Sequence, residues 1–412
     1  MTRNAMTASL PLQTRVLSVE DIRSIIEYVG LDALMDEMIA RLTEAFECFD
    51  PSETVVPVRT GFSYEQPHVG LVEWMPLFQK HQQIVVKAVG YHPQNPSLHN
   101  LPTVLSTVSA YDPTSGHLSA LMDGTFLTAL RTGAASAIAS RYLANPNSRM
   151  LGLIGAGAQA VTQVHALSRC FELEQILICD RDPAVSQSFA NRVADLHLGS
   201  LAITRADRAE IMATADILCT ATSVDVGDGP VFADQPSKPW LHINAVGADF
   251  PGKFEIPLSL LERSFVCPDF RAQAVQEGEC QQLGELEQIG PELFEVVQRP
   301  TPYRQYQHQL TVFDSTGFAL EDQVAMNMLL DYATELQVGT WICLESASTE
   351  VKNPYSFVND TPPILPFERG GFDVSAQPNG APGGGAPGGG VLIGRHPVAT
   401  KHDNSPSPSV NP

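Results

Sequence analysis

Residues 150–180 read MLGLIGAGAQAVTQVHALSRCFELEQILICD, and the fold class follows from this stretch. A short apolar run, Leu151, Leu153 and Ile154, ends in Gly155-Ala156-Gly157-Ala158-Gln159-Ala160. A segment of helical character follows, and a second apolar run, Ile176–Cys179, stops at Asp180. The order is strand, glycine turn, helix, strand. Gly155 permits the sharp turn, Gly157 lets the backbone approach a pyrophosphate, and Ala160 keeps helix and strand close. Phosphates then sit on the free N–H groups at the helix N-terminus. Asp180 is placed to accept from a ribose 2′-OH and to repel a 2′-phosphate, which favours NAD over NADP; Arg181 beside it blurs that preference. Further buried runs, Asp216–Thr222 and Trp240–Val246, alternate with helices, as a doubly wound parallel sheet requires.

At 412 residues the chain is long enough for about two domains. Its 43% apolar and 17% charged residues suit a globular body, and the net charge of −21 argues against nucleic-acid or anionic-membrane partners. Residues after Glu368 carry Arg369, Arg395 and Lys401 against Asp373 and Asp403, so the acidity belongs to the body. In such a body an isolated cluster of buried Arg and Lys would stand out. Seven scattered cysteines without a C-x-x-C suit reduced packing thiols and no metal site. No apolar run approaches the ~20 residues of a membrane span. The N-terminus lacks the apolar core of a signal peptide, and a cytoplasmic location is expected.

Working outward, residues 1–14 read as a flexible leader. Ser18–Phe49 has helical spacing, with Ser18 as N-cap, Asp21 three positions on, and Gly30 splitting it into two helices. From Val55 to Met122 the texture is a meander of strands separated by turn residues. Arg59, Glu73 and Lys87 are expected on strands there. Lys87 sits in Ile84–Val89, apolar on both sides as in a strand covered on both faces, and needs an anionic partner. Asp123–Ala144 reads as a helix capped by Asp123 or Thr125, with small residues on one face and Arg131 one turn in. Arg131 suits a carboxylate or phosphate, or a helix surface. Asp249, in the loop after a buried strand, is either a turn-former or a proton acceptor. The Gly/Pro-rich residues 369–412 read as a disordered tail.

Seven motifs, GLVEWMP, VVKAVGYHPQN, LTALRTGAASAIAS, GLIGAGAQA, HINAVGADFPGK, EGECQQLGE and LTVFDSTGFALED, resemble in that order the ornithine cyclodeaminase/mu-crystallin family over residues 18–345. The resemblance implies an α/β protein: a Rossmann-type doubly wound NAD-binding domain (129–317) plus a mixed α+β substrate and dimerisation domain (15–128 and 318–350). It implies Arg59, Lys87 and Arg131 as substrate-carboxylate ligands, Glu73 as partner of a distal amine, and Asp249 as catalytic acid/base, with Lys87 and Glu73 also in the catalytic set. Thr103, Arg131, Gly155, Gly157, Ala158, Gln159, Asp180, Ile243, Asn244, Ala245, Val246, Lys253 and Ser315 would line the NAD site. The spacing from Arg59 to the Glu-x-Met-Pro run is longer than the family pattern.

The resemblance is nearest the bacterial ornithine cyclodeaminase branch, through Glu73 and the Glu277–Leu283 segment. It therefore implies a homodimer that converts ornithine to proline and ammonia with catalytic NAD. Three cations in an acidic protein suit an amino-acid carboxylate and orient its Cα–H. Oxidation to an imine, attack by the distal amine, loss of ammonia and return of the hydride complete that chemistry. The alternatives are the same reaction on lysine, a net amino-acid dehydrogenase or imine reductase, and a nucleotide-binding protein without catalysis. Intact Glu73, Lys87 and Asp249 weigh against the last.

Overall fold

A computed structural model describes residues 12–199, 201–284, 288–348 and 350–358. The expected tail and most of the expected leader lie outside these residues. Thr14, assigned to the leader, instead opens the first strand and donates its hydroxyl to Leu118 O at 2.6 Å.

The first sheet contains β1 (Thr14–Leu17), β2 (Thr54–Val55), β3 (Thr60–Tyr64), β4 (Gly70–Gln79), β5 (Gln83–Tyr91), β6 (Val104–Tyr111) and β7 (Leu118–Asp123). The second contains β8 (Met150–Ile154), β9 (Gln175–Cys179), β10 (Ala202–Arg205), β11 (Ile217–Thr220), β12 (His242–Ala245), β13 (Phe265–Pro268) and β14 (Thr311–Asp314). A last strand, β15 (Thr340–Ile342), returns to pair with β1. The helices are α1 (Val19–Val29), α2 (Leu31–Glu47), α3 (Asn95–His99), α4 (Thr125–Leu143), α5 (Ala158–Cys170), α6 (Pro183–Arg192), α7 (Arg208–Thr214), α8 (Leu258–Leu261), α9 (Arg271–Glu277), α10 (Leu293–Gln298) and α11 (Ala319–Glu335).

The second sheet is parallel throughout, in the order β10-β9-β8-β11-β12-β14-β13. Its central strands β11, β12 and β14 are buried along their whole length, as strands covered on both faces must be. The first sheet runs β15-β1-β7-β6-β5-β4-β2, with β3 on β4; it is antiparallel except where β1 meets β7. The chain is therefore α/β, with a Rossmann-type parallel sheet and a second, mixed sheet.

Two local expectations change. Arg59 lies in the connection between β2 and β3, because Pro57 has no N–H to give a ladder. In β5, Lys87 shares the buried face with Val85 and Val89, whereas Ala88 on the other face is exposed and Ile84 and Val86 are half-buried. β5 is thus covered on one face only.

The helix α4 joins the two sheets, packing on β6 on one side and on β12 and β14 on the other. It is buried nearly all round, so its sequence lacks a polar face. Gly133 brings α5 close: a Cβ there would lie 2.5 Å from Thr162 O. The expected boundary at residues 128–129 falls inside this continuous helix. From β14 the chain turns into α11, which packs on α4, β4 and β5. Ser18 and Asp21 form the capping box of α1, and Gly30 (φ 86°) separates α1 from α2, as read from the sequence.

Candidate functional site

The nucleotide cleft opens where β8 turns into α5. Gly155 adopts φ +93°, and a Cβ there would strike Ala221 O at 2.5 Å. Above Gly157 the space is open, since a Cβ there would meet nothing within 4 Å. No side chain caps α5, so its first N–H groups face that space. A cavity of about 380 Å³ extends from it, lined by Gly155, Gly157, Asp180, Arg181, Arg208 and Thr222 among others. Asp180 accepts from Ala156 N at 2.7 Å and from Asp182 N at 2.9 Å, which ties the strand end to the glycine turn. These residues fit a dinucleotide: a glycine cradle, an uncapped helix terminus, and a carboxylate at the end of the second strand. A second cavity of about 380 Å³, lined by Tyr64, Leu71, Tyr91, Asp249, Phe250 and Lys253, shares Val224 and Asp225 with the first. The two form one groove.

A buried ionic cluster joins β5, α4 and the first turn of α11. Lys87 is 1% exposed, with its Nζ 2.9 and 2.8 Å from the two Asp322 oxygens. Burial, with Arg131 nearby, lowers its pKa to about 8. Arg131, 4% exposed, donates from Nε to Asp322 Oδ1 (3.1 Å) and from Nη1 to Glu321 Oε2 (2.8 Å). Burial opposes its charge, but Asp322, Glu321 and Asp269 outweigh that. Burial pushes Glu321 up to about 8. Gly317 (φ +94°) makes room for the guanidinium, since a Cβ there would lie 2.9 Å from Nη2. Among the described residues Nη2 has no acceptor.

Arg59 meets a second set of acceptors. Its Nε lies 2.6 Å from Glu277 Oε1 and 3.5 Å from Glu73 Oε2, and its Nη groups donate to Asp249 O (2.5 Å) and Thr316 O (3.2 Å). Burial raises Glu277 to about 7 against the pull of Arg59; Glu73 is raised for the same reason. Among the described residues every buried Arg and Lys meets a protein carboxylate, as desolvation demands.

Asp249 stands on the turn after β12. Gly252 takes φ +80° there. Gln281 clamps the turn, accepting from Gly252 N (2.6 Å) and donating to Lys253 O (2.9 Å). Lys253, expected in the NAD site, reaches Asp249 Oδ1 at 2.7 Å.

The structure brings Glu73, Lys87, Arg59, Arg131 and Asp249 to one region, and sets Gly155, Gly157 and Asp180 in the lining of the nucleotide cleft, with Ala158 and Gln159 opening α5 after Gly157. Other expected cofactor residues lie elsewhere. Ile243 and Ala245 pack in the core, and Asn244 donates to Ser140 Oγ (2.9 Å) under α4. Alternating strand side chains point away from the crevice, so only Val246, past the strand end, is partly exposed. Thr103 lies outside the lining of both cavities and pairs its carbonyl with His92 N. The Ser315 hydroxyl is buried just past β14 and has no partner among the described residues. Sequence reasoning missed Glu277, Gln281, Glu321 and Asp322. The unmatched charge of Lys87 was the available signal for Asp322, and the acidic Glu277–Glu279 pair was the signal for Glu277. Among the described residues no cluster of metal-ligating groups occurs, and no helix is long and apolar enough to cross a membrane.

A parallel α/β sheet with a glycine turn and an uncapped helix terminus at the end of β8 defines a dinucleotide-binding protein. The ornithine cyclodeaminase/mu-crystallin family matches residues 19–337, and the chain belongs to that family. It is 45% identical over 346 residues to an L-lysine cyclodeaminase of Streptomyces rapamycinicus, covering 84% of this chain and 100% of the relative. An ornithine cyclodeaminase of Agrobacterium tumefaciens is 31% identical, covering 83% and 93%. Among solved structures, a lysine cyclodeaminase described with recognition of L-lysine, L-ornithine and L-2,4-diaminobutyric acid superposes with TM-score 0.81 at 47% identity, over 84% of this chain and 99% of the other. An archaeal alanine dehydrogenase dimer with bound NAD gives TM-score 0.71 at 30% identity, over 81% and 100%.

Proposed function

We propose that this chain is an NAD-dependent cyclodeaminase that converts L-lysine to L-pipecolate and ammonia. The observation that carries the reading is the gathering of buried charges of both signs near Asp249. Lys87 and Arg131 share Asp322, with Nη2 of Arg131 unspent, and the carboxylates of Glu73 and Glu277 flank Arg59, which donates to the Asp249 carbonyl. A diamino acid has the matching pattern, a carboxylate at one end and an ammonium at the other. Lysine takes the place of ornithine as the expected substrate because the 45% identical relative is a lysine enzyme, while the ornithine enzyme stands at 31%.

Gly155, Gly157, Ala158, Gln159 and Asp180 would hold NAD, which supplies a hydride acceptor at Cα and returns the hydride after ring closure. Lys87 and Arg131 bind the α-carboxylate and fix the direction of Cα–H. Asp249 takes a proton from the α-ammonium, freeing the nitrogen lone pair that an imine requires. Glu277 and Glu73 hold the distal ammonium, and Glu277, raised to about 7, is suited to accept its proton before it attacks the imine carbon. Asp249 then returns a proton to the departing ammonia.

The test is incubation of the full chain with NAD and lysine, ornithine or alanine, following ammonia, NADH and cyclic product together. Ammonia without net NADH is expected, with kcat/KM for lysine exceeding that for ornithine by about 10- to 200-fold, the worth of one methylene. Accumulating NADH would instead mean a dehydrogenase.

Two further outcomes follow from the distal carboxylates. Glu73→Gln or Glu277→Gln should weaken lysine binding far more than pipecolate binding, since the product has no free distal ammonium. Equal effects would make them structural. Below its pKa of about 7 Glu277 is neutral and above it ionised, and the ammonium favours the ionised form. Lysine affinity should therefore rise with pH through about 7, and Glu277→Gln should flatten that rise, as calorimetric titration would read. Asp180 at the end of β9 predicts tighter binding of NAD than of NADP; fluorescence titration showing the reverse would assign the preference to Arg181.

We also infer a homodimer through the outer face of the first sheet. Val72, Phe78 and Leu105 are exposed there beside half-buried Trp74, Ile84 and Val86, an apolar surface of the kind a second copy covers. Light scattering that reads a monomer at micromolar concentration would reject this.

A further inference from the structure

We propose that Arg192 is a positioning residue for the cofactor's pyrophosphate, holding the glycine turn so that its N–H groups face the nucleotide cleft. This rests on the reading of that turn as the pyrophosphate cradle, and not on which amino acid the chain consumes. Arg192 is the last residue of α6 and reaches back to the turn. Its Nη2 donates to Ala156 O at 2.6 Å and to Val185 O at 2.9 Å, and its Nη1 donates to Gly157 O at 3.4 Å. The guanidinium carbon lies 5.1 Å from the Phe189 ring centroid, so the side chain is also held against its own helix.

The two turn carbonyls belong to successive trans peptide units, Ala156–Gly157 and Gly157–Ala158. In a trans unit C=O and N–H point in opposite directions. Drawing both carbonyls toward one guanidinium therefore turns the N–H groups of Gly157 and Ala158 away from it. Neither N–H has an acceptor among the described residues, and the space above Gly157 is open. Gly157 is poorly able to keep this arrangement alone, because without a Cβ it has the widest choice of backbone angles. Asp180 holds the turn from a second direction, accepting from Ala156 N at 2.7 Å. It also accepts from Asp182 N, and Asp182 caps α6 by accepting from Ala184 N at 2.8 Å. The end of β9, α6 and the turn thus form a closed ring of hydrogen bonds, with Arg192 as its last link. Its positive charge, on the carbonyl side of both peptide units, adds to the attraction of their N–H ends for phosphate.

The test is a fluorescence titration of the full chain with NADH, followed by displacement with ADP-ribose, which carries the pyrophosphate, and with adenosine, which does not. Arg192→Met keeps a stem against Phe189 but loses the donors. It should weaken NADH and ADP-ribose by about 10-fold, the low end of the worth of a hydrogen bond from a charged group, and leave adenosine unchanged. Arg192→Lys keeps the charge, but one nitrogen cannot replace the fork, so its affinities should fall between; it also serves if Arg192→Met does not fold. Equal losses for adenosine and ADP-ribose would make Arg192 a support of the whole cleft and overturn the proposal. Full ADP-ribose affinity in Arg192→Met would overturn it too. So would full affinity in Arg192→Lys, which would assign the effect to charge without the fork. Failure of ADP-ribose to displace NADH from the unmodified chain would instead remove the reading of the turn as a pyrophosphate cradle, and the proposal with it.

Discussion

Asp249→Asn is expected to lower turnover by about 10²- to 10⁴-fold, the worth of a positioned general base. The amide keeps the size of the side chain and can still accept a hydrogen bond from Lys253, but it cannot take the α-ammonium proton. The backbone contacts of the turn do not depend on the carboxylate: Arg59 donates to the Asp249 carbonyl, and Gln281 holds Gly252 and Lys253. The variant should therefore fold, bind NAD and bind lysine while releasing little ammonia. Loss of NAD binding or early melting would make Asp249 a turn-former only. Normal turnover would place the base elsewhere and refute the mechanism.

The second large effect is on stability. Asp322 accepts from both Lys87 and Arg131, all three nearly inaccessible to solvent. Asp322→Leu leaves Lys87 without a carboxylate partner and Arg131 with Glu321 alone. Breaking a buried pair from one side costs about 3–5 kcal/mol, because the desolvated charge has nothing to offset it. The urea midpoint should fall accordingly. Lys87→Met combined with Asp322→Leu should recover much of that loss, since apolar groups of similar volume often replace a buried pair without penalty. The double variant should nevertheless be inactive, having lost a ligand for the substrate carboxylate. A single variant as stable as the unmodified chain would show that water reaches Lys87.

Much of the nucleotide half was legible because its signals are local. The glycines of 155–157 and the two flanking apolar runs specify strand, turn and helix within about thirty residues, and the parallel order follows from the alternation. The ring of strand-end ligands was not, because the strand pattern says only that Ile243, Asn244 and Ala245 are buried. Which side they face depends on α4 packing from below, where Asn244 meets Ser140.

By itself the sequence determined the fold class, the glycine cradle, the uncovered need of Lys87 for an anion, and the candidacy of Asp249. Each rests on residue types and spacings within one element, where backbone geometry leaves few choices. Tertiary structure decided the partners: Asp322, 235 residues from Lys87 in the chain, Glu277 opposite Arg59, and Asp249 beside Lys253. A buried charge must be neutralised, but its sequence context carries no mark of which distant carboxylate does so. That choice was made when α11 packed on β4 and β5 and carried Asp322 to Lys87.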